Sequence, residues 1–285
     1  MPATVIFTDL DGTLLDSATY SCAAAQEALT ALRTQAIPLI VVSSKTRAEI
    51  LPIRRRLLNT HPFIVENGGA VVIPTDYFPF PLADSVFRSG FDVVELGTPY
   101  PRLRAALKDI QGAIGRELRG YGDMSVDEII ARTGLSREEA ELSKQREYDE
   151  PFVIEGPAID EDRLAEAVEI RGLRYTKGDR FFHLMGPHDK GRAVRYLIDC
   201  YCRLAGCDRD RLRSVGIGNS PNDLPMLEAV KHPILVQLAN GSYEPGIEFP
   251  RLTRAPGPGP IGWNRAVLSL LSCNNVGQTR GTDAL

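Results

Sequence analysis

Short apolar runs that alternate with helical periodicity constrain the fold of this 285-residue chain more than any other feature. Residues 4–8 and 37–42 are almost continuously apolar, and the spacing of apolar residues predicts amphipathic helices over 21–35 and 46–58. Continuous apolar runs, without strict alternation, are typical of parallel strands that helices cover on both faces. The sequence therefore predicts an α/β fold with a parallel sheet.

A different pattern interrupts this alternation in the middle of the chain. Periodicity predicts a long helix over 101–119, and a hairpin is predicted over 173–185, after which the α/β pattern resumes. We therefore predict two domains: an α/β core over 1–84 and 187–285, and an inserted α+β domain over 85–186.

Two helix starts inside the inserted domain carry capping-box signals. Ser125 is followed three residues later by Glu128, and Ser136 by Glu139. In a capping box the two side chains satisfy backbone N–H groups reciprocally at the start of a helix. We expect a helix to begin at each serine.

Composition narrows the possible partners and location. The chain is 43% apolar and 25% charged, which is ordinary for a soluble globular protein. A net charge of -4 gives no reason to predict a nucleic-acid partner. No apolar run reaches the roughly 18 residues that a membrane helix needs, and no signal-peptide pattern precedes the first strand. We expect a cytoplasmic protein without a membrane partner; its oligomeric state stays open.

Polar clusters follow the predicted strands of the core. Ligands of α/β sheets gather at the carboxyl ends of the strands, so these clusters are the candidate site. They comprise Asp9 and Asp11, Ser43 and Ser44, Asn219 to Asp223, and Lys190 at a helix start. Two carboxylates, a hydroxyl, a cation and an amide-and-acid loop together form a set suited to handling a phosphate with Mg²⁺.

The chemistry follows from the functional groups. An aspartate can attack phosphorus and form an aspartyl phosphate. A second acid two residues later can protonate the leaving oxygen and then activate water. Mg²⁺ prefers oxygen ligands and phosphate, while a lysine and a hydroxyl can hold phosphate oxygens in the transition state.

Four motifs, in order along the chain, resemble those of the haloacid dehalogenase-like phosphatases. They are "DLDGTLLD", the apolar strand that ends in Ser43, Lys190, and "GNSPND". The resemblance implies a Rossmann-like three-layer core, and the insert resembles the α/β cap of the Cof-like branch. It also implies dependence on Mg²⁺.

Further segments resemble the mannosyl-3-phosphoglycerate phosphatase family. These segments are "SSKTRAEI", "ENGGA", "TGLSREEAELSKQREYDEPF" and "FFHLMGPHDKG". The resemblance implies a small-molecule phosphorylated sugar as substrate: hydrolysis of a glycosyl-3-phosphoglycerate would give a glycosylglycerate, a compatible solute, and phosphate.

The resemblance also implies roles for individual residues. Asp9 would be the nucleophile and Asp11 the general acid/base. Ser43, less plausibly Ser44, would bind the transferring phosphate, and Lys190 would pair with the phosphate and the nucleophile. The metal would be held by the Asp9 carboxylate, the Asp11 backbone carbonyl and the fourth motif.

The fourth motif departs from the family pattern at one position. Asn219 stands where the family usually has aspartate. An amide oxygen can still bind Mg²⁺ but brings no negative charge, so we expect weaker metal binding or direct recruitment of Asp223, which otherwise supports the loop. The same departure is also compatible with a protein that has lost much of its phosphatase activity.

Candidate substrate-binding residues lie mostly outside the four motifs. Asn67 and Gly68 could form a simple turn or line the site through backbone N–H groups. Arg146 could bind a substrate carboxylate bidentately or form a surface ion pair with Glu147 or Asp149. The remaining candidates for contact with the substrate are Arg180, His183, Asn222 and Ser44.

Other activities remain open from the sequence. The substrate could be glucosyl-3-phosphoglycerate or another sugar phosphate. A phosphomannomutase-like enzyme would share the fold but return the phosphoryl group to sugar, and a non-catalytic sugar-phosphate sensor is favoured only by Asn219.

Overall fold

A computed structural model describes residues 4–156, 160–177 and 180–278, with side chains described as far as residue 272. By its internal contacts the chain divides into two compact units. One comprises Met1–Val41 with Ile198–Leu285, and the other comprises Val42–Leu197.

Strands and helices alternate in the first part of the chain and again from residue 190 onwards, and a mixed α+β segment lies between these parts. The strands are β1 (Thr4–Thr8), β2 (Leu39–Val42), β3 (Phe63–Val65), β4 (Ala70–Pro74), β5 (Ser85–Arg88), β6 (Phe91–Glu95), β7 (Leu118–Gly120), β8 (Asp149–Ile154), β9 (Arg174–Lys177), β10 (Phe182–Met185), β11 (Arg213–Gly218), β12 (His232–Gln237) and β13 (Thr253–Pro258). The α-helices are α1 (Gln26–Thr34), α2 (Arg47–Arg56), α3 (Tyr100–Ile114), α4 (Val126–Thr133), α5 (Arg137–Ser143), α6 (Glu161–Glu169), α7 (Lys190–Ala205), α8 (Leu224–Ala229) and α9 (Gly259–Gln278).

The first unit is built on a parallel sheet in the order β13-β12-β11-β1-β2. Thr8 at the end of β1 lies opposite Ile217 of β11, so the carboxyl ends of these two strands are level. Val5, Ile6 and Phe7 are all buried, as expected for a strand covered on both faces. The predicted parallel sheet is confirmed.

The edge strand of the first unit's sheet is formed by a segment whose proline- and glycine-rich composition predicts a loop. The segment "RAPGPGPIGW" reads as a loop, but Thr253–Pro258 forms β13 beside β12. An edge strand tolerates proline because one row of its backbone groups needs no ladder partner.

The second unit contains two groups of antiparallel strands. One is the run β3-β4-β6-β5, and the other is a separate four-stranded sheet in the order β7-β8-β10-β9. Helices α3 and α6 pack on the four-stranded sheet around a core that includes Leu107, Phe152 and Leu164. The hairpin predicted over 173–185 is the β9–β10 pair.

The long helix predicted over 101–119 is shorter in the structure. It ends at Ile114 because Gly115 adopts a left-handed conformation with φ of 65° and closes the last turn, and Leu118 then begins β7. The boundaries predicted for the inserted domain, 85 and 186, stay a prediction. They enclose the four-stranded sheet, while β5 and β6 continue the antiparallel run of β4.

Membrane-spanning segments were sought among the helices of the described ranges. None of those helices combines the length and the apolar character that crossing a bilayer requires.

Candidate active site

Asp9 lies where β1 ends. Its backbone N–H donates to the carbonyl of Ile217 at 2.9 Å, which fixes it beside β11. The hydroxyl of Thr8 donates to the Asp9 carbonyl at 2.8 Å and accepts from the indole Nε1 of Trp263 at 3.0 Å. These hydrogen bonds fix the backbone at this position, and because Asp9 is only 6% exposed, its carboxylate is largely withdrawn from water.

The chain turns sharply after Asp9. Leu10 accepts backbone hydrogen bonds from Thr13 and Leu15, and the N–H of Gly12 donates to Leu15 at 2.8 Å. Gly12 has φ of 71°, a conformation that glycine adopts without steric cost. Asp11, which is half-buried, therefore sits in a compact loop at the end of β1.

The loop after β11 is organised by Asp223. Its fully buried carboxylate accepts from the backbone N–H groups of Asn219 (2.9 Å) and Ser220 (3.1 Å) and from the Ser220 hydroxyl (3.2 Å). The same hydroxyl lies 2.6 Å from Oδ1 of Asn222, which is half-buried. Asp223 thus holds the loop in shape through these hydrogen bonds, and its part in binding a metal stays a prediction.

Gly12 and Asn219 bring the two loops of the first unit together. A Cβ atom at residue 12 would lie 2.5 Å from Nδ2 of Asn219, so a larger residue there would have to displace the Asn219 amide. Oδ1 of Asn219 is buried and has no hydrogen-bond partner among the described residues. A buried carbonyl-type oxygen without a hydrogen bond is costly unless a ligand satisfies it.

These oxygen groups fit a hard cation. Mg²⁺ takes carboxylate and carbonyl oxygens, and Asn219 presents such an oxygen next to the loop of Asp9 and Asp11. Within the described ranges, no three His, Cys, Asp or Glu side chains form a metal-holding group. The candidate ligand set differs because it draws on an asparagine and a backbone carbonyl.

Ser43 and Ser44 follow β2. Ser43 is fully buried, and its backbone N–H donates to Ile64 at 3.1 Å. Its Oγ accepts from the N–H of Lys45 at 3.2 Å, which leaves the hydroxyl proton available to a ligand oxygen. Ser44 is half-buried, and its carbonyl accepts from Arg146.

Asn67 and Gly68 form a left-handed turn after β3. Their φ angles are 57° and 95°, and the Asn67 N–H donates to the Ser43 carbonyl at 3.0 Å. A Cβ at residue 68 would lie 2.2 Å from the carbonyl oxygen of Asp189 and 3.0 Å from the nitrogen of Lys190. Glycine is required there because the turn packs directly on the start of α7.

Lys190 is completely buried at the first position of α7. Lysine is rarely buried unless its charge is compensated. Lysines near a helix start usually extend into water. Lys190 does not, because it is fully buried.

Arg146 is enclosed by protein groups, with its side chain 6% exposed. Nε donates to the Ser143 carbonyl at 2.9 Å and Nη1 to the Ser44 carbonyl at 2.8 Å. The carboxylates of Glu49 and Asp149 lie 3.9 Å away. The guanidinium is therefore not part of a surface ion pair, and its role as a carboxylate anchor stays a prediction.

His183 on β10 is paired with Asp149 on β8. Nδ1 of His183 lies 2.8 Å from Oδ2 of Asp149, and Nδ2 of Asn67 donates to the same oxygen at 3.1 Å. Asp149 is fully buried. Burial on its own raises the pKa of this carboxyl, but the charges of His183 and Arg146 outweigh burial and hold the pKa below its usual value.

Arg180 has an exposed side chain, and its guanidinium donates to the carbonyl of Thr133. The structure brings Asn67, Arg146, Asp149 and His183 together through hydrogen bonds and an ion pair.

Glu66 is a buried acid that the motif analysis missed. Its carboxylate accepts the backbone N–H groups of Glu147 (2.9 Å) and Tyr148 (2.8 Å). Burial raises the pKa of Glu66 to about 8, and the nearby charge of Asp149 adds to the rise while Arg146 opposes it. The only sequence signal was the position of Glu66 beside the Asn-Gly-Gly turn.

Known proteins similar to this chain agree with the motifs. A family profile described as haloacid dehalogenase-like hydrolase matches residues 6–80. A glucosyl-3-phosphoglycerate/mannosyl-3-phosphoglycerate phosphatase from Methanococcoides burtonii is 44% identical over 271 residues, which are 95% of this chain and 98% of that protein. A mannosyl-3-phosphoglycerate phosphatase from Pyrococcus furiosus is 36% identical over 233 residues, 81% of this chain and 90% of that one.

Solved structures with the same fold are more distant in sequence. A protein from Thermoplasma acidophilum superposes with a TM-score of 0.66 at 17% identity, covering 95% of this chain and 99% of that chain. The sucrose-phosphatase of Synechocystis, solved with sucrose and phosphate, superposes with a TM-score of 0.61 at 14% identity, covering 96% of this chain and 99% of that chain. These likenesses confirm the α/β fold with an inserted α+β cap, and the family profile identifies it as haloacid dehalogenase-like.

The named relatives are phosphatases, and two of them match most of the chain at well over 30% identity. This enzyme is accordingly a phosphoric monoester hydrolase. The chain belongs to the mannosyl-3-phosphoglycerate phosphatase family of the haloacid dehalogenase-like hydrolases.

Proposed function

We propose that this phosphatase hydrolyses mannosyl-3-phosphoglycerate to mannosylglycerate, a compatible solute, and phosphate. The observation that carries the proposal is the 44% identity, over nearly the full length of both chains, to a phosphatase named for the glucosyl and mannosyl compounds. The small phosphorylated-sugar substrate is supported by the same name, and the cytoplasmic location expected from the sequence stays a prediction.

Asp9 and Asp11 carry the bond changes in this proposal. A carboxylate oxygen of Asp9 attacks phosphorus, the bond from phosphorus to the glycerate oxygen breaks, and Asp11 gives that oxygen its proton. Asp11 then takes a proton from water as the water oxygen attacks phosphorus. Phosphate leaves, and the Asp9 carboxylate is restored. The rigid backbone around Asp9 supports this role, because a fixed nucleophile loses little freedom during attack.

Ser43 and Lys190 bind phosphate oxygens in the proposed reaction. The Ser43 hydroxyl donates one hydrogen bond, and the Lys190 ammonium contributes a positive charge as negative charge shifts from the nucleophile to the leaving oxygen. The complete burial of both side chains supports the assignment, because charge interactions are stronger away from water.

The Asp9 carboxylate, the Asp11 backbone carbonyl and Asn219 Oδ1 are the proposed ligands of Mg²⁺. The bound metal would neutralise charge between the nucleophile and the phosphoryl group. Asp223 acts one step removed, since its carboxylate is already taken up by the N–H groups of its own loop.

The other predicted residues would contact the rest of the substrate. We retain Ser44, Asn67, Gly68, Arg146, Arg180, His183 and Asn222 as proposed contacts. Hydrogen bonds among Asn67, Asp149 and His183 support two of them most directly, because a side chain that is held in place can select a ligand.

Glucosyl-3-phosphoglycerate is the second candidate substrate. It is favoured by the double name of the Methanococcoides burtonii relative and by the same name on a Persephonella marina relative that is 40% identical. Mannose and glucose differ in the orientation of one hydroxyl, so an enzyme that tolerates both is chemically reasonable.

Phosphate release tests the proposal. The purified protein is given mannosyl-3-phosphoglycerate, glucosyl-3-phosphoglycerate or mannose 6-phosphate, each with Mg²⁺ and with EDTA. We expect fast, Mg²⁺-dependent release from the two phosphoglycerates, and the ratio of kcat/KM between them names the preferred sugar. Faster release from mannose 6-phosphate, or no release from any of the three, would contradict the proposal.

A further inference from the structure

Asp149, which lies in the segment "TGLSREEAELSKQREYDEPF", is a buried carboxylate that joins two residues far apart in the chain. Its Oδ2 accepts from Nδ2 of Asn67, on the turn after β3, and lies 2.8 Å from Nδ1 of His183 on β10. Oδ1 of Asp149 lies 3.1 Å from the same imidazole nitrogen. One side chain thus fixes the orientation of two proposed substrate contacts.

The protonation state of Asp149 decides what His183 can offer. Other charged or titratable groups around the carboxylate are Arg146, with its Nη1 3.9 Å away, together with Glu66 and His188. With its pKa below the usual value, Asp149 is ionised at neutral pH and can only accept hydrogen bonds. The proton between Asp149 and His183 therefore resides on Nδ1 of the imidazole.

The other ring nitrogen, Nε2, is left for a ligand, and 14% of the His183 side chain is exposed. In the neutral imidazole Nε2 accepts a hydrogen bond, and in the cation it donates one. A hydroxyl can donate or accept and so suits either form. A carboxylate would be bound only by the cation.

We propose that Asp149 is a positioning residue for the substrate's sugar: it fixes His183 so that Nε2 hydrogen-bonds a hydroxyl of the glycosyl group. The inference rests on the proposed function and adds to it the residue that selects the sugar. Asn67 is oriented by the same carboxylate, and this hydrogen bond connects the turn of Asn67 and Gly68 to β8.

Monodeoxy substrates test the contact itself. We compare kcat/KM for glycosyl-3-phosphoglycerates that each lack one sugar hydroxyl, in the wild type and in His183→Asn. Asparagine can place its amide N–H where Nδ1 was and keep the bond to Asp149, but it has no atom at the Nε2 position. In the wild type we expect kcat/KM to be about tenfold lower for one deoxy substrate than for the parent substrate. In His183→Asn this difference should vanish.

His183→Gln is the matched control because its longer amide can reach the Nε2 position. We expect it to restore part of the penalty at the same hydroxyl. Equal penalties in the wild type and His183→Asn at every hydroxyl would overturn the proposal.

Asp149→Asn tests the positioning role. Asparagine can turn a donor towards Nδ1 and change the tautomer of His183, so we expect KM for the glycosyl substrate to rise about tenfold with kcat nearly unchanged. Hydrolysis of an aryl phosphate that has no sugar should lose less than hydrolysis of the glycosyl substrate. A loss shared equally by both substrates would mean that Asp149 is only structural, and if the variant does not fold, the His183 variants decide the question.

Two further results separate the possible failures. 3-Phosphoglycerate carries a carboxylate that glycerol 3-phosphate lacks, and both can be tested as inhibitors. If the wild type discriminates between them and His183→Asn does not, His183 binds that carboxylate and the proposal is wrong. If the wild type turns over the parent substrate but His183→Asn changes the effect of removing no sugar hydroxyl, the inference alone is overturned. Absence of turnover overturns the proposed function and the inference with it.

Discussion

At the scale of single residues, the nucleophile is the assignment on which the rest of the mechanism depends. Asp9→Asn replaces the carboxylate by an amide of the same shape, which is a poor nucleophile. We expect turnover to fall by at least about 10³-fold while the substrate still binds. Phosphate release and calorimetric titration of the substrate measure the two effects. Turnover near the wild-type rate would remove Asp9 from the nucleophile's role.

Asn219 offers a second test at the same scale. Asn219→Asp places a charge where a buried amide oxygen has no hydrogen-bond partner among the described residues, so we expect Mg²⁺ to bind about tenfold more tightly. Without metal the new buried charge should lower the melting temperature. Calorimetry with Mg²⁺ alone and thermal unfolding in EDTA measure these effects.

Asn222→Asp is the matched control for Asn219→Asp. It adds the same charge to the same loop, at a side chain that already accepts from Ser220. We expect little change in Mg²⁺ affinity. If both variants tighten Mg²⁺ equally, general charge rather than direct ligation explains the effect.

At the scale of elements, the α-helices α2, α4 and α5 each begin with a capping box. The boxes predicted at Ser125 and Ser136 are confirmed, and α2 adds a third, in which Thr46 and Glu49 exchange hydrogen bonds at 3.1 and 2.8 Å. The buried Thr46 hydroxyl also donates to the carbonyl of Leu142 at 3.0 Å. The cap of α2 therefore also stabilises the contact between α2 and the end of α5.

Unequal costs should follow from these caps. Ser136→Ala, at an exposed cap, should lower the free energy of unfolding by about 1 kcal/mol. Thr46→Ala should cost roughly 2 to 3 kcal/mol, because it also leaves the Leu142 carbonyl without its donor. Denaturant unfolding of the two variants gives the comparison, and equal costs would show that the bond to Leu142 contributes nothing.

The turn that contains Glu66 should make stability depend on pH. Its pKa is about 8 when folded and 4.5 in the reference state, so between these values the unfolded chain has lost a proton that the folded chain keeps. Rising pH therefore destabilises the fold across this window, by at most about 1.4 kcal/mol per pH unit, and the effect levels off above pH 8.

Glu66→Gln removes this titration while keeping the shape of the side chain. Its free energy of unfolding should fall less steeply than that of the wild type between pH 5 and pH 8, as measured by denaturant titrations at several pH values. Parallel pH slopes for the two proteins would show that Glu66 is ionised throughout.

At the scale of the whole molecule, the predicted domains and the compact units differ in where they place residues 42–84 and 187–197. The domain prediction gives these residues to the core, while internal contacts group them with 85–186. We expect β7 to β10 to lose hydrogen-exchange protection together at low denaturant, and β3 and β4 to stay protected with β1 and β11. If β3 and β4 open together with β8, the cooperative units are those given by internal contacts.

Much of the fold could be predicted because its signals are local. Apolar runs gave β1 and β2, and serine–glutamate spacing gave the starts of α4 and α5. Predictions failed where a competing local effect decided the outcome: Gly115 ended α3 early, and an edge position allowed the proline-rich β13.

The sequence by itself determined the family, the parallel sheet and the identity of the candidate catalytic groups, because each resides in short contiguous stretches of the chain. Tertiary structure alone decided the environment of Asp149. It is linked by hydrogen bonds to Asn67, 82 residues away, and His183, 34 residues away, and it is fully buried. From the sequence Asp149 could only be taken for one end of a surface ion pair, because burial and partners distant in the chain arise only when β8 and β10 pair and the turn after β3 meets them.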